Sequence, residues 1–444
     1  MSCGRKAVSQ KVRQFHCSLI TVLPVDTDWR EYSFDISSRV RMGVYEGVLV
    51  PGISPEKAVP MIMISWINLG VALVRMLALS CLFGWIMTSA RAEVVADDNW
   101  APPAVGILEP AYGFDEAALH QIRDRAPSGK AFDAFLMATL KYWEYQADRI
   151  DETKRAAAAE WLGLAYTYSK AEWRDHPEDV DLQFLFGISC CNRARFHVEE
   201  SSWSRAYFDC KEGIQTLDDL LTRRPDYVDA LFPLGVVEAY LADAPVLLKP
   251  LARLLGFRGN AEDGLANLRK AADSGVWTRV EASFYLGYYY YSVRKDIDHA
   301  HVHFAELYAQ YPQNPVFGYL YGRVCELRHD APKALDVYRS NEAIALKLGA
   351  MDIANWSGYR AASLLLETGS NQEALSMLIR LRKRIAPHAE SQEYFLRLPY
   401  EMSRALIGLG RKDDARRYLE AVDVSWDRDT YRLSRALLRT LPKD

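Results

Sequence analysis

The sequence predicts an all-α fold in which antiparallel helix pairs stack in a row, and three observations carry that prediction. Helical periodicity runs almost unbroken from residue 115 onward, while strand-like alternation is nearly absent. Prolines interrupt it at His176-Pro177, Arg224-Pro225, Tyr311-Pro312 and Ala386-Pro387, at intervals suited to pairs of helices. A pattern of small residues then recurs with nearly constant internal spacing. The composition agrees with this: of 444 residues, 50% are hydrophobic and 25% charged, which excludes a mainly disordered, collagen-like or multi-span membrane chain.

Residues 1–60 are a patchy mixture with no sustained period, and Met61 and Met63 are plausible alternative starts, so 1–60 are read as upstream or disordered sequence. Residues 61–92, MIMISWINLGVALVRMLALSCLFGWIMTSARA, form a signal peptide or signal anchor. Arg75 precedes a charge-free apolar run from Met76 to Met87, and Ala90 and Ala92 supply the small side chains a signal peptidase requires. Cleavage would fall between Ala92 and Glu93. Left uncleaved, the stretch is long enough to span a bilayer, and the body would still face outward. The expected address is therefore a bacterial cell envelope: periplasmic, or anchored in the inner membrane with the body outside the cytoplasm.

Residues 93–114 read as a linker containing Ala101-Pro102-Pro103, and 115–179 as opening helices with candidates at 115–125, 131–150 and 151–174. Residues 180–279 hold divergent helical repeats with first helices at Phe186-Gly187 and Leu234-Gly235, and about 14 excess residues separate Gly187 from Gly213. An insertion, 241–259, packs Val246, Leu247, Leu248, Leu251, Leu254, Leu255 and Phe257 around Lys249, Arg253 and Arg258. It suits a short amphipathic helix touching a membrane or partner, or one folded against the repeats.

Residues 280–423 carry the regular pattern. The pairs Leu286-Gly287, Tyr321-Gly322, Ala361-Ala362 and Met402-Ser403 are followed by Ala300, Ala334, Ala374 and Ala415, at intervals of 13, 12, 12 and 12. The units are spaced 35, 40 and 41 residues apart. Small residues let two helices cross closely, and Phe304, Tyr338, Leu378 and Leu419 fill the space between units. On these residues the chain resembles the tetratricopeptide repeat family, whose units are helix–turn–helix pairs of about 34 residues. The resemblance implies a right-handed superhelix that binds a protein or extended peptide on its concave side. Residues 424–444 would form a capping helix.

No nucleophile elbow, zinc-binding HExxH, phosphate-binding loop or dinucleotide fingerprint occurs, so the chain is expected to be a non-enzyme without a cofactor. The net charge is −4, and residues 1–92 alone carry 10 Lys and Arg against 6 Asp and Glu, leaving an acidic body that does not favour nucleic acid. His299 and His303 share a helix face and form a weak metal candidate; rim positions with Ala300 and Phe304 pointing inward are the simpler role. Among the cysteines, Cys190 or Cys191 could bridge to Cys210 in an oxidising compartment, or all could be small buried thiols.

The partner groove is read from a ladder. Three residues before the second member of each small pair stand Phe184, Phe232, Phe284, Tyr319, Tyr359 and Tyr400, all aromatic. The family resemblance implies that this face lines the groove, with Tyr288, Tyr291, Arg323, Trp356, Arg397 and Arg404 beside it. Rings with interspersed arginines suit apolar and carboxylate groups of a bound peptide. The same rings equally serve packing between helices, and the spacing leaves both roles open.

Overall fold

Side-chain caps start several of the helices that the sequence punctuates with Asp and Asn. In the computed structural model, Asp151, Asp179 and Asn314 each accept hydrogen bonds from two backbone N–H groups of the turn that follows, at 2.7–3.2 Å. The structure describes residues 108–114, 120, 130–243, 260–385, 392–423 and 428–441, all within one unit, Asp98–Asp444. The signal segment with Ala90 and Ala92, the linker prolines, most of the 115–125 candidate and residues 244–259 of the insertion lie outside the described residues.

Among the described residues a short helix, α1 (Glu109–Gly113), comes first. Seven pairs of described helices follow: α2 (Ala131–Ala147) with α3 (Glu152–Asp175), α4 (Val180–Glu199) with α5 (Trp203–Arg223), and α6 (Leu231–Ala242) with α7 (Ala261–Ser274). Then come α8 (Arg279–Tyr289) with α9 (Ile297–Gln310), α10 (Pro315–Leu327) with α11 (Ala331–Lys347), and α12 (Met351–Glu367) with α13 (Asn371–Arg384). The last pair is α14 (Glu393–Gly408) with α15 (Lys412–Glu420), and α16 (Arg428–Thr440) packs on both. There is no strand among the described residues, and each helix packs on its neighbours in sequence. The fold is an all-helical solenoid of antiparallel pairs of the tetratricopeptide-repeat type.

The small residues sit where the sequence argument needs them. A Cβ on Gly322 would meet the Tyr338 ring at 2.6 Å, and one on Gly235 would come 2.8 Å from the Gly264 carbonyl oxygen. Ala300, Ala334, Ala374 and Ala415 are fully buried, as are Phe304, Tyr338, Leu378 and Leu419. The excess between Gly187 and Gly213 is helix, not loop. These two glycines still face each other, but α4 and α5 extend beyond them by about two additional turns each.

First helices of neighbouring pairs touch one another, as in α2 with α4, α6 with α8, α10 with α12, and α12 with α14, so they line the tighter, inner side. The α2/α3 pair, unaligned in the sequence, is a full member of the stack. Its inner helix α2 also packs against α10 and α12, far along the chain. Fourteen of its 17 residues are buried, so it has almost no solvent face. Trp143 stands edge-on to Phe284, Phe317 and Tyr112 at 5.2, 5.1 and 5.9 Å. At its end, Asp148 accepts the Asp352 backbone N–H at 3.1 Å, while Lys154 donates to Asp148 and to the Gly349 carbonyl at 2.8 and 2.6 Å.

Candidate partner-binding surface

The inner helices position the ladder, and the structure turns most of its rings into the interior. Phe184, Phe232, Phe284, Tyr319 and Tyr359 are each 6% exposed or less. Phe184 packs on Tyr227, Phe232 on Tyr285, and Tyr319 on Tyr338, at 5.3, 5.5 and 6.0 Å. Phe284 is covered by Trp143 of α2 and by Phe317. Tyr288 stacks on Phe284, and Tyr291 lies 6.2 Å from Tyr288 and is half-buried. Trp356 is buried edge-on to Tyr394. In this structure the chain itself covers the N-terminal and central rungs. Helix α2 supplies the cover for Phe284 through Trp143, while Phe184, Phe232 and Tyr319 are covered by rings of their own or the next helix pair.

The last rung differs. Tyr400 is half-buried, and beside it on α14 stand Arg397 and Arg404, with side chains 34% and 33% exposed. Arg397 pairs with Glu393 at 2.6 Å and Arg404 with Glu401 at 2.8 Å. Burial pushes the Glu401 carboxyl above the usual carboxylate range, while Arg404, Arg397 and Arg360 oppose the shift. The Tyr359 hydroxyl reaches Glu401 at 3.5 Å. Arg323 is itself buried and paired with Glu326 at 2.9 Å.

Two residues of this region, Glu326 and Arg360, carry no mark in the ladder pattern. Glu326 is a hub that accepts from the Tyr338 hydroxyl at 2.7 Å, from Arg323 and from Arg360 Nε at 3.1 Å. The missed signal was spacing, since Arg323, Arg360 and Arg397 stand at 37-residue intervals. Chemically, α14 presents guanidinium groups about one third exposed and held by carboxylates of their own chain, while Arg360 of α12 is largely buried against Glu326. An incoming carboxylate can exchange for those partners.

The histidines sit on the rim of α9, with Ala300 and Phe304 inward. Tyr290 stacks on His299 at 4.9 Å and on His303 at 6.1 Å; His299 bonds Asp296, and His303 bonds Ser283. Burial holds His303 down at about 4. Among the described residues, no group of three or more His, Cys, Asp and Glu side chains is placed to hold a metal ion, and no helix is long and apolar enough to cross a membrane. A hollow of about 600 Å³ between α3, α4 and α5, lined by Tyr166, Lys170, Trp173, Phe186 and Glu212, includes none of the ladder residues.

No family model matches the chain, and no curated protein matches it. Among solved structures, the chain is similar to the crystal structure of the yeast Tom70, at 14% identity over 69% of this chain and 63% of that one, with a TM-score of 0.35. It therefore spans less than two thirds of that chain. It is also similar to the crystal structure of the APC/C hetero-tetramer Cut9-Hcn1, at 12% identity over 74% and 88% of the two chains, with a TM-score of 0.22. Likenesses this distant add nothing to the fold, which stands on its own helix contacts. The chain is a helical solenoid without catalytic sequence motifs, consistent with a non-catalytic interaction scaffold.

Proposed function

We propose that this protein is a non-catalytic scaffold of the bacterial cell envelope that holds a protein or an extended peptide against the inner helices of its last two pairs. The observation that carries the reading is the half-exposed cluster Arg397, Tyr400 and Arg404 on α14, at the end of a ladder whose other rungs are covered. A carboxylate-bearing partner replaces Glu393 and Glu401 as counter-ion, and its apolar groups pack on Tyr400. Because the rigid stack is ordered before binding, little ordering cost falls on the scaffold side. Export rests on the apolar segment before Ala92.

The test is affinity capture of the tagged full chain from fractionated cells, beside Tyr400→Ala/Arg404→Ala and a His299→Ala control. Envelope partners kept by the wild type and the control but lost by the double variant support the reading; equal capture by all three overturns it.

A second reading, association with a membrane surface, is favoured by Trp203 and Phe208 on the outer helix α5, which are 44% and 61% exposed close to Arg205 and Lys211. Quantitative release from cells with the soluble envelope fraction, without detergent, excludes it.

A further inference from the structure

Helices α4 and α5 approach most closely where two glycines face each other. A Cβ on Gly213 would stand 2.8 Å from the Gly187 carbonyl oxygen. The helices run antiparallel, so the turn after Gly187 on α4 lies opposite the turn before Gly213 on α5. Cys191 occupies the first of those turns and Cys210 the second. Residues three apart share a helix face, so Cys210 and Gly213 look the same way. Cys191 Sγ already rests on that face, 2.6 Å from where a Cβ of Gly213 would be.

Cys190 takes a different course. Its Cβ, not its sulfur, lies against Gly213, and its thiol is surrounded by the charges of Glu212, Arg193, Asp209 and Lys170. The Cys191 thiol is instead raised by burial and then by Cys210. A disulfide needs Cα atoms roughly 4.4–6.8 Å apart, and facing Cα atoms, each about 2.3 Å from its helix axis, come within that range when two helices pack with axes about 8–10 Å apart. The glycine-on-glycine crossing keeps α4 and α5 in such close packing one turn from Cys191 and Cys210. The four described cysteines are free thiols in this structure.

We propose that Cys191 and Cys210 form a disulfide across the second helix pair when the chain folds in an oxidising compartment. With glutathione disulfide as oxidant, one cysteine thiolate attacks a glutathione sulfur and releases one glutathione. The second cysteine thiolate then displaces the other glutathione from the mixed disulfide. Two cysteine thiols lose two protons and two electrons, and one glutathione disulfide becomes two glutathione molecules. Burial raises both thiols, so the bond closes during folding and only slowly afterwards. It staples the long α4/α5 hairpin beyond its glycine crossing.

The full chain, unfolded and refolded in glutathione redox buffer or under reducing conditions, tests this by alkylation and peptide mass spectrometry. The expected product joins the Cys191 and Cys210 peptides, lighter by two hydrogens. It appears with redox buffer, disappears in Cys191→Ser and in Cys210→Ser, and persists in Cys190→Ser and Cys325→Ser. The native reduced chain treated with diamide should give the same link more slowly, which covers poor refolding. Helical protein in which both thiols are alkylated after either treatment, or in which Cys210 is joined to Cys190, overturns the proposal.

Discussion

Asp352 offers a quantitative test of how α2 is seated against the sixth pair. Its side chain lies in the first turn of α12 and is 7% exposed. The groups that face it are Asp148 and Arg149, just after α2, and Tyr394 on α14, with Lys154 of α3 bonded to Asp148. Burial first, and Asp148 second, raise its carboxyl to about 7, against Arg149 and a bond from Tyr394. In the unfolded chain the group titrates near about 3.9. The folded state therefore keeps a proton that the unfolded state loses as pH rises from about 4 to 7. Stability falls through that window, and the full cost is present above pH 7.

A displacement of about 3 pKa units corresponds to an upper bound of roughly 4 kcal/mol above pH 8, and to about 1.5 kcal/mol at pH 5. Asp352→Asn keeps the shape and removes the ionisation. Urea unfolding followed by tryptophan fluorescence should show it gaining about 2–3 kcal/mol more, relative to wild type, at pH 8.5 than at pH 5. An effect of equal size at the two pH values would mean that Asp352 does not carry the buried proton.

Other perturbations follow from the packing. Trp143→Ala empties the aromatic contact between α2 and the inner helices and should cost about 3–5 kcal/mol in the same assay. Gly322→Ala drives a methyl into the Tyr338 ring and should cost about 1–3 kcal/mol. Gly163→Ala, on α3 with nothing within 4 Å, should instead stabilise by about 1 kcal/mol.

The regular pairs were legible because their constraint is local. A small residue at a close crossing and a large one a turn later leave a periodic trace, as at Gly322, Ala334 and Tyr338. The second pair obscured that trace because an antiparallel hairpin grows on both arms at once, moving Gly213 away from Gly187 in sequence while keeping them opposed in space. The first pair left none, since α2 is buried on nearly every side and lacks the polar stripe that marks a helix face. Spacing identifies which rings face inward, but not that Trp143 of that same helix covers Phe284 or that neighbouring pairs cover Phe184, Phe232 and Tyr319. Arg397, Tyr400 and Arg404 were visible as residue types, whereas their pairing with Glu393 and Glu401 follows from i,i+4 and i,i+3 geometry on a helix whose register the sequence leaves open.

The scaffold reading is tested most directly by a photo-crosslinking benzophenone amino acid placed at Tyr400 in the full chain in living cells, with the same residue at the outer, exposed Phe208 for comparison. A discrete protein adduct is expected from position 400, weakened by Arg404→Ala and absent from position 208. A protein adduct from position 208 alone, or none from position 400 while the chain remains folded, would contradict that reading.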